Sequence, residues 1–153
     1  MKYLVYFLFF FLFTSFSRTD KLIDQLTQQI DDWHLAAANA DFERYFSATS
    51  KDFIFLGTAP NERWTKTEFM AFSKPYFEAG KAWDFKSTQK HFSILDENKL
   101  VVFDEDLDTW MNGCRGSGIF RKEKGKWVLV YYNLTVLIEN EKIDNFIRLR
   151  EQE

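Results

Sequence analysis

The sequence predicts an α+β fold in which N-terminal helices pack on one face of a curved antiparallel sheet. Apolar residues recur at helical spacing over residues 20–38, Thr65 and Glu68 form a helix-capping pattern, and strand-like segments follow residue 82. Helices followed by a strand meander are typical of α+β domains. The 153-residue chain suffices for one such domain, which we place at residues 20–150.

The first predicted helix begins at a cap, Asp20, and ends near Asn39. A short second helix is predicted after Asp41, which has a capping side chain. The apolar residues of the first helix are spaced four, four, three and four apart, as one buried face requires: Leu22, Leu26, Ile30, Trp33 and Ala37.

The third predicted helix starts near Lys66, directly after the capping box of Thr65 and Glu68. Pro75 lacks a backbone N–H and is expected to break or restart this helix. Gly80 is expected to close the helical region.

One strand is predicted before the third helix and four after it, with hairpin turns in ILDENKL and RKEKGKW. Their predicted ranges are 53–57, 83–95, 99–110, 114–122 and 126–138.

The segment RGSG, residues 115–118, resembles a phosphate-binding loop at first sight. Such a loop needs a helix N-terminus after its glycines, whereas a strand follows here. Gly116 and Gly118 are two apart and share one strand face, which predicts close approach of another group or a bend. Arg115 and Ser117 then point to the other face.

Strict alternation places Trp127, Leu129, Tyr131, Asn133 and Thr135 on one face of the last strand. The opposite face is also largely apolar, so both faces should be covered. The helices can cover one of them. A homodimer formed sheet to sheet is the simplest cover for the other.

The N-terminus has the pattern of a secretory signal peptide. Lys2 precedes an apolar run at residues 3–13, and Ser15 and Ser17 follow as small residues. The run is shorter than the roughly 20 residues that span a bilayer. We expect residues 1–17 to be a cleaved signal, or alternatively a retained anchor, and the protein to be periplasmic or secreted, with no other membrane association.

Composition excludes several classes of function. The net charge of −3 becomes −4 without Lys2, so we expect no binding to nucleic acid or anionic lipid. Cys114, the single cysteine, is expected to be a buried free thiol, or alternatively to form an intermolecular bridge or react. His34 and His91 lack metal-ligand spacing, and no cofactor fingerprint is present, so we expect neither metal nor cofactor.

Taken together, these features resemble the SnoaL-like branch of the nuclear transport factor 2-like (NTF2-like) superfamily. The resemblance implies a conical half-barrel with a pocket between helices and sheet, often in a dimer; relatives include isomerases, cyclases, dehydratases, hydrolases and ligand-binding proteins. Glu139-Asn140 departs from the Pro-Asn that often follows the last strand. The segments that carry the resemblance are 33–46, 55–69, 74–85, 103–118 and 127–140.

Glu105 is the leading candidate for chemistry, because it is a carboxylate in an otherwise apolar row of its strand. Asp104, Asp106 and Asp108 occupy the other face and are expected to be solvated. A buried, unpaired Glu105 would have a raised pKa, as a general acid or base near neutral pH requires. The alternative is a structural ion pair with Arg115 or His34.

His34 lies at the edge of the apolar face of the first helix, where it could carry protons or be a structural core residue. Arg115 could orient an anionic or carbonyl-bearing ligand, or simply pair with Glu105. Glu105, His34 and Arg115 form the predicted catalytic or recognition set. The predicted ligand-binding set consists of Trp33, Trp64, Trp110, Ser117, Tyr132 and Asn133.

Two functional hypotheses follow. In the first, the protein binds a small molecule in an aromatic pocket and recognises its polar groups with Glu105, His34 and Arg115. In the second, it is a cofactor-free lyase, isomerase or hydrolase in which Glu105 removes a proton, His34 shares or returns it, and Arg115 stabilises an oxyanion.

Overall fold

The computed structural model describes residues 18–97 and 99–152, so the predicted signal at residues 1–17 lies outside the described residues. None of the helices in the described residues is long and apolar enough to cross a membrane. The helical elements are α1 (Arg18–Ala38), α2 (Phe42–Ser47), α3 (Lys66–Glu78), a 3-10 turn (Asn140–Lys142) and α4 (Ile143–Arg150). The strands are β1 (Thr49–Leu56), β2 (Arg63–Thr65), β3 (Lys86–Asp96), β4 (Leu100–Thr109), β5 (Asn112–Glu123) and β6 (Lys126–Val136).

The strands form one curved sheet in the order β2-β1-β6-β5-β4-β3. β3 to β6 form an antiparallel meander. β1 runs parallel to β6 and pairs with the edge of β6 that faces away from β5. The N-terminal helices pack on the inner face, which confirms the predicted α+β cone.

Helix α1 ends at Ala38, as predicted, and its apolar face packs into the core: Leu26, Ile30, Trp33 and Ala37 are buried. The prediction that Asp20 caps α1 is wrong. The described helix already includes Arg18, so Asp20 lies in its first turn, where a carboxylate favours the positive end of the helix dipole instead.

The capping side chains of the other two helices act as predicted. Asp41 accepts a hydrogen bond from the backbone N–H of Arg44 at 3.1 Å. At the start of α3, the Thr65 backbone N–H donates to Glu68 at 2.8 Å, and the Glu68 backbone N–H donates to Thr65 Oγ1.

Pro75 does not break α3, contrary to the sequence prediction, because the helix continues to Glu78. Pro75 removes a single backbone donor near the C-terminal end of the helix, and the backbone N–H of Ala79 still donates to the Pro75 carbonyl at 3.1 Å. Gly80 then adopts a φ of +67°, which confirms its predicted role in closing the helical region.

The prediction of strict alternation along β6 is wrong, because the strand contains a β-bulge. Tyr131 pairs with Ile119 and Leu129 pairs with Phe120, which leaves Val130 without a partner on β5. The extra residue reverses which side chains face inward. Trp127 and Leu129 are buried before the bulge, whereas Tyr132 and Leu134 are buried after it.

The glycines of β5 confirm the prediction of close approach. A Cβ atom on Gly116 would lie 2.0 Å from the Tyr132 hydroxyl oxygen, and one on Gly118 would lie 2.5 Å from the Phe103 ring. Both glycines lie on the inner face, so their missing side chains make room for two core aromatic residues.

Two elements were not predicted from the sequence. β2 is a short strand that pairs with β1, and α4 follows the last strand. The Glu139-Asn140 departure falls at the 3-10 turn that leads from the sheet into α4, and it leaves the sheet itself intact.

Candidate functional site

The inner face of β4 carries the central side chain of the site. Val101, Phe103, Glu105 and Leu107 are buried, whereas the side chains between them face outward, as predicted. Glu105 has no exposed surface although it is a carboxylate. A buried carboxylate requires hydrogen-bond partners or neutralisation, because burial removes its hydration.

Two side chains bind one oxygen of Glu105. His34 Nε2, from α1, lies 2.7 Å from Glu105 Oε1. The Tyr132 hydroxyl, from β6, donates to the same oxygen at 2.9 Å. The three residues come from three separate elements, and we call them the Glu105 cluster.

The expected rise in the pKa of Glu105 does not occur. Burial raises this pKa, but the hydrogen bond with His34, the positive charge that His34 carries when protonated and the Tyr132 hydrogen bond outweigh burial. The pKa of Glu105 therefore lies below its usual value, and the side chain is an ionised acceptor at neutral pH. Burial and the neighbouring Glu105 charge raise the pKa of Tyr132 well above its usual value, so Tyr132 remains a donor.

Three buried polar atoms near this cluster form no hydrogen bond of normal geometry with another described residue, although Ser87 lies close to Glu105 and Trp83 lies close to Tyr45: Glu105 Oε2, Trp33 Nε1 and the Tyr45 hydroxyl. Aromatic contacts join them. The Trp33 ring stacks on Tyr45 at a centroid distance of 4.5 Å and lies 4.8 Å from the Tyr132 ring. Unpartnered buried polar groups are costly and rare, so their grouping here marks a site that a polar ligand group or water can satisfy.

A polar cleft of about 300 Å³ reaches the Glu105 cluster from one side, between α1 and the start of β3. His34 forms part of its wall, so His34 connects the buried carboxylate with the surface. Lys90 and Asp31 form an ion pair at 2.6 Å close to this side of α1. The remaining lining residues are Asp31, Leu35, Ala38, Asp84, Phe85, Lys86 and Ser87.

A second cleft, of about 160 Å³, is almost entirely apolar, and we call it the aromatic cleft. Its wall approaches the Glu105 cluster, since Phe55 lies 5.9 Å from the Tyr132 ring. Phe85 lines both clefts, so the polar cleft and the aromatic cleft adjoin at this residue. The aromatic cleft is lined chiefly by Phe55, Trp64, Phe69, Phe72, Trp83, Phe85, Trp110 and Leu134.

Arg115 does not belong to the Glu105 cluster, contrary to the sequence prediction. It lies on the outer face of β5, and its guanidinium pairs with Asp106 at 3.2 Å. The alternation that buries Gly116 directs Arg115 outward. Of the two partners that the sequence suggested for Glu105, Arg115 and His34, the structure shows His34.

The predicted ligand-binding residues lie in three places: the aromatic cleft, the Glu105 cluster and the outer face of the sheet. Trp64 and Trp110 line the aromatic cleft, and Tyr132 and Trp33 pack around the Glu105 cluster. Ser117 and Asn133 are neighbours in register on the outer face, so their predicted place in the pocket is wrong. The Val130 bulge explains the position of Asn133, because it turns Tyr132 inward and Asn133 outward.

Sequence reasoning missed Trp83 and Phe85, which precede β3 and line the aromatic cleft. Their spacing of two residues resembles strand alternation, and they were assigned to the strand that in fact starts at Lys86. The donor role of Tyr132 was also missed, because no sequence signal pairs it with Glu105.

Cys114 is buried and forms no disulfide in the described chain, and its sulfur lies 3.5 Å from Thr109 Oγ1. In residues 18–97 and 99–152, no group of three or more histidine, cysteine, aspartate or glutamate side chains is arranged to hold a metal ion.

The fold and its inner-face cluster define an NTF2-like protein. Similar solved structures include an NTF2-like protein of unknown function from Pseudomonas putida, with 13% identity, a TM-score of 0.66 and coverage of 80% of this chain and 91% of the other. An NTF2-like protein from Cytophaga hutchinsonii has 18% identity, a TM-score of 0.63 and coverage of 80% and 100%. At these identities the likeness shows the fold alone.

The family follows from the sequence itself. Residues 26–139 match the model of the SnoaL-like domain, so the chain belongs to the SnoaL-like domain family. No curated protein matches the chain.

Proposed function

We propose that this protein binds a small organic molecule that has an apolar ring system and a hydrogen-bond donor. The observation that carries the proposal is Glu105, whose Oε1 is fully bonded while its buried Oε2 has no partner in the described chain. An ionised carboxylate oxygen accepts hydrogen bonds only, so the group that satisfies it must be a donor, such as a hydroxyl or an N–H.

The aromatic cleft supplies the apolar half of this recognition. Trp64 and Phe72 stack at a centroid distance of 4.5 Å, and Phe55 stacks on Phe69 at 4.0 Å. Ligand sites are mostly apolar with a few placed polar groups, and the cleft together with Glu105 has this composition. Phe85 lines both the aromatic cleft and the polar cleft, so movement of this side chain would join the two clefts.

A thermal-shift screen tests this proposal with the wild type, Glu105→Gln and Trp64→Leu, against a panel of phenols, aromatic amines and matched hydrocarbons without a donor. A compound at 100 times its Kd stabilises the protein by roughly 2.7 kcal/mol, or roughly 5–10 °C in Tm. We expect donor-bearing compounds to shift the wild type and to lose the shift in both variants.

Asp104→Asn is the matched control, since Asp104 is the outward-facing neighbour of Glu105 on β4. It should retain the full ligand-induced shift. The proposal fails if no donor-bearing compound shifts the wild type, or if the matched hydrocarbons shift it equally.

Acid–base catalysis is the second candidate, and the position of His34 favours it. His34 is 2.7 Å from Glu105 and also lines the open polar cleft, so it can pass a proton between the buried carboxylate and a molecule in that cleft. The lowered pKa of Glu105 fits a carboxylate that orients His34, and it makes Glu105 itself a poor general acid and a weak general base at neutral pH.

Turnover of the compounds found in the screen distinguishes the two candidates. A catalyst loses product formation in His34→Gln while the compound still binds. A binding protein forms no product with either sequence.

We also propose that the protein acts outside the cytoplasm, in the periplasm or after secretion. The apolar run at residues 3–13, with Lys2 before it and small residues after it, supports export. Mass spectrometry of the protein purified from its own cells should give an N-terminus near residue 18. An intact N-terminus in the cytoplasmic fraction would contradict export.

A homodimer through the outer face of the sheet is the proposed assembly. The side chains of Ile119, Val128 and Tyr131 on that face remain partly exposed in the single chain. Sedimentation velocity should give a dimer for the wild type and a monomer for Ile119→Glu. A monomeric wild type at about 100 μM would contradict the dimer.

A further inference from the structure

Helix α4 has an apolar face that its own chain leaves uncovered. Every residue of α4 is exposed, and the parts of the chain nearest to it are the preceding 3-10 turn and an open groove that Phe146 and Leu149 line together with Met111 and Val136. Ile143, Phe146 and Ile147 are between 37% and 47% exposed, although their spacing of three and one places them on one helical face. A helix with an unpacked apolar face lacks the burial that stabilises short helices, so this face requires a partner.

Arg150 lies on the same side of α4, at the C-terminal end of this apolar face, because it follows Phe146 by four residues and Ile147 by three. Its guanidinium carbon lies 5.7 Å from the centroid of the Phe146 ring. No ion pair joins it to a carboxylate of the described chain. The surface that covers α4 must therefore offer both apolar area and an acidic group.

The outer face of the sheet has both properties. Val102 and Ile119 are register partners on this face and are only partly buried. Asp104 and Asp108 lie on the same face of β4, and neither carboxylate forms a hydrogen bond or ion pair with another described residue. Asp106, between them, is already paired with Arg115.

We infer that α4 of each protomer docks on the outer sheet face of a second copy, with Arg150 paired to Asp104 or Asp108 of that copy. The inference rests on the sheet-face dimer proposed above and identifies the segment that completes it. A twofold arrangement forms this contact twice, so each of the two arginines pairs with an aspartate of the opposite copy. A lipid surface suits α4 less well, because Arg150 would interrupt the face that enters the membrane.

Charge-reversal variants on the two sides of the contact test the inference. Their dimer Kd is measured by sedimentation velocity, with each protein purified in the form that its own cells produce. Arg150→Glu should raise the dimer Kd about tenfold or more, and so should the double variant Asp104→Lys/Asp108→Lys. An equimolar mixture of these two variants should recover the wild-type Kd. In the mixed dimer one contact pairs Glu with Lys, and the other retains the native Arg150 with its native aspartates.

Arg148→Glu is the matched control. Arg148 lies on the opposite side of α4 and bonds to Asn145 of the same helix, so its reversal should leave the dimer Kd unchanged. Asp108, Arg148 and Arg150 are exposed and Asp104 is half-buried on the outer face, so these changes leave the inner core intact.

Three outcomes would overturn the inference. If Arg150→Glu dimerises like the wild type, the sheet-face dimer stands and the α4 contact fails. If the mixture does not recover the wild-type Kd, Arg150 does not pair with these aspartates. If the wild type is monomeric and co-sediments with phosphatidylcholine–phosphatidylglycerol vesicles, both the dimer and the α4 contact fail and α4 is a membrane-surface helix.

Discussion

The two faces of β4 place adjacent carboxylates in opposite environments. Glu105 faces inward, has no exposed surface and is bonded to His34 and Tyr132. Asp104 faces outward, where water screens and hydrates its charge. The comparison shows that strand alternation alone separates a side chain whose loss disrupts the core from one whose loss is expected to be almost silent.

The largest expected effect is the loss of the inward carboxylate, Glu105, and the outward carboxylate, Asp104, is the comparison. Glu105→Ala should lower the free energy of unfolding by about 3–5 kcal/mol, because it leaves His34 and Tyr132 buried without their shared partner. Asp104→Ala should change the free energy of unfolding of the protomer, measured well below the dimer Kd, by less than about 0.5 kcal/mol. Urea unfolding with an unchanged m-value measures both. Equal losses would mean that Glu105 is not buried as described.

The second test adds a methyl group at a buried glycine and at an exposed glycine of the neighbouring strand, β5. Gly116→Ala should cost about 1–3 kcal/mol, since its Cβ would lie 2.0 Å from the Tyr132 hydroxyl and displace it from Glu105. Gly113→Ala is the matched control, because no heavy atom lies within 4 Å of its added Cβ. Thermal unfolding should separate the two variants clearly. A tolerated Gly116→Ala would contradict the close approach of Tyr132.

The smallest effect is expected at the outer-face pair of Asp52 and Arg121. Hydrogen bonds from Arg121 and Ser50 lower the pKa of Asp52 from 3.8 to about 2. A lowered pKa means that the pair stabilises the protein above the unfolded-state pKa, and that this stabilisation is lost as the pH falls through about 2.

Arg121→Gln should therefore raise the pKa of Asp52 toward its usual value, as followed by NMR titration. The free energy of unfolding at neutral pH should fall by less than about 1 kcal/mol, because the pair is exposed. An unchanged Asp52 titration in this variant would show that Arg121 does not hold the carboxylate.

Local signals predicted much of the fold. The helical spacing from Leu22 to Ala37 and the capping box at Thr65 depend on nearby residues only, and both are confirmed. The inward direction of Glu105 and the bare face of Gly116 follow from the period of two along a strand.

Features that depend on distant residues were not predictable in this way. His34 and Tyr132 meet at Glu105 from opposite ends of the chain, and alternation within β4 gives no information on either. Arg115 was placed with Glu105 on charge alone, although the alternation that buries Gly116 turns it outward. The role of the Glu105 cluster in binding or catalysis stays a prediction.

The β-bulge at Val130 sets the phase of the second half of β6. Leu129 and Tyr132 both face inward although they are three residues apart, because Val130 is the extra residue between them. If all residues of β6 paired without a bulge, Tyr132 would point to the outer face and Glu105 would lose one of its two hydrogen-bond partners. Deletion of Val130 should nevertheless preserve the Glu105 cluster, because it leaves Leu129, Tyr131 and Tyr132 in regular alternation opposite Phe120, Ile119 and Gly118. The site should therefore tolerate the loss of one residue from the middle of a core strand, a change that ordinarily turns the rest of a strand inside out.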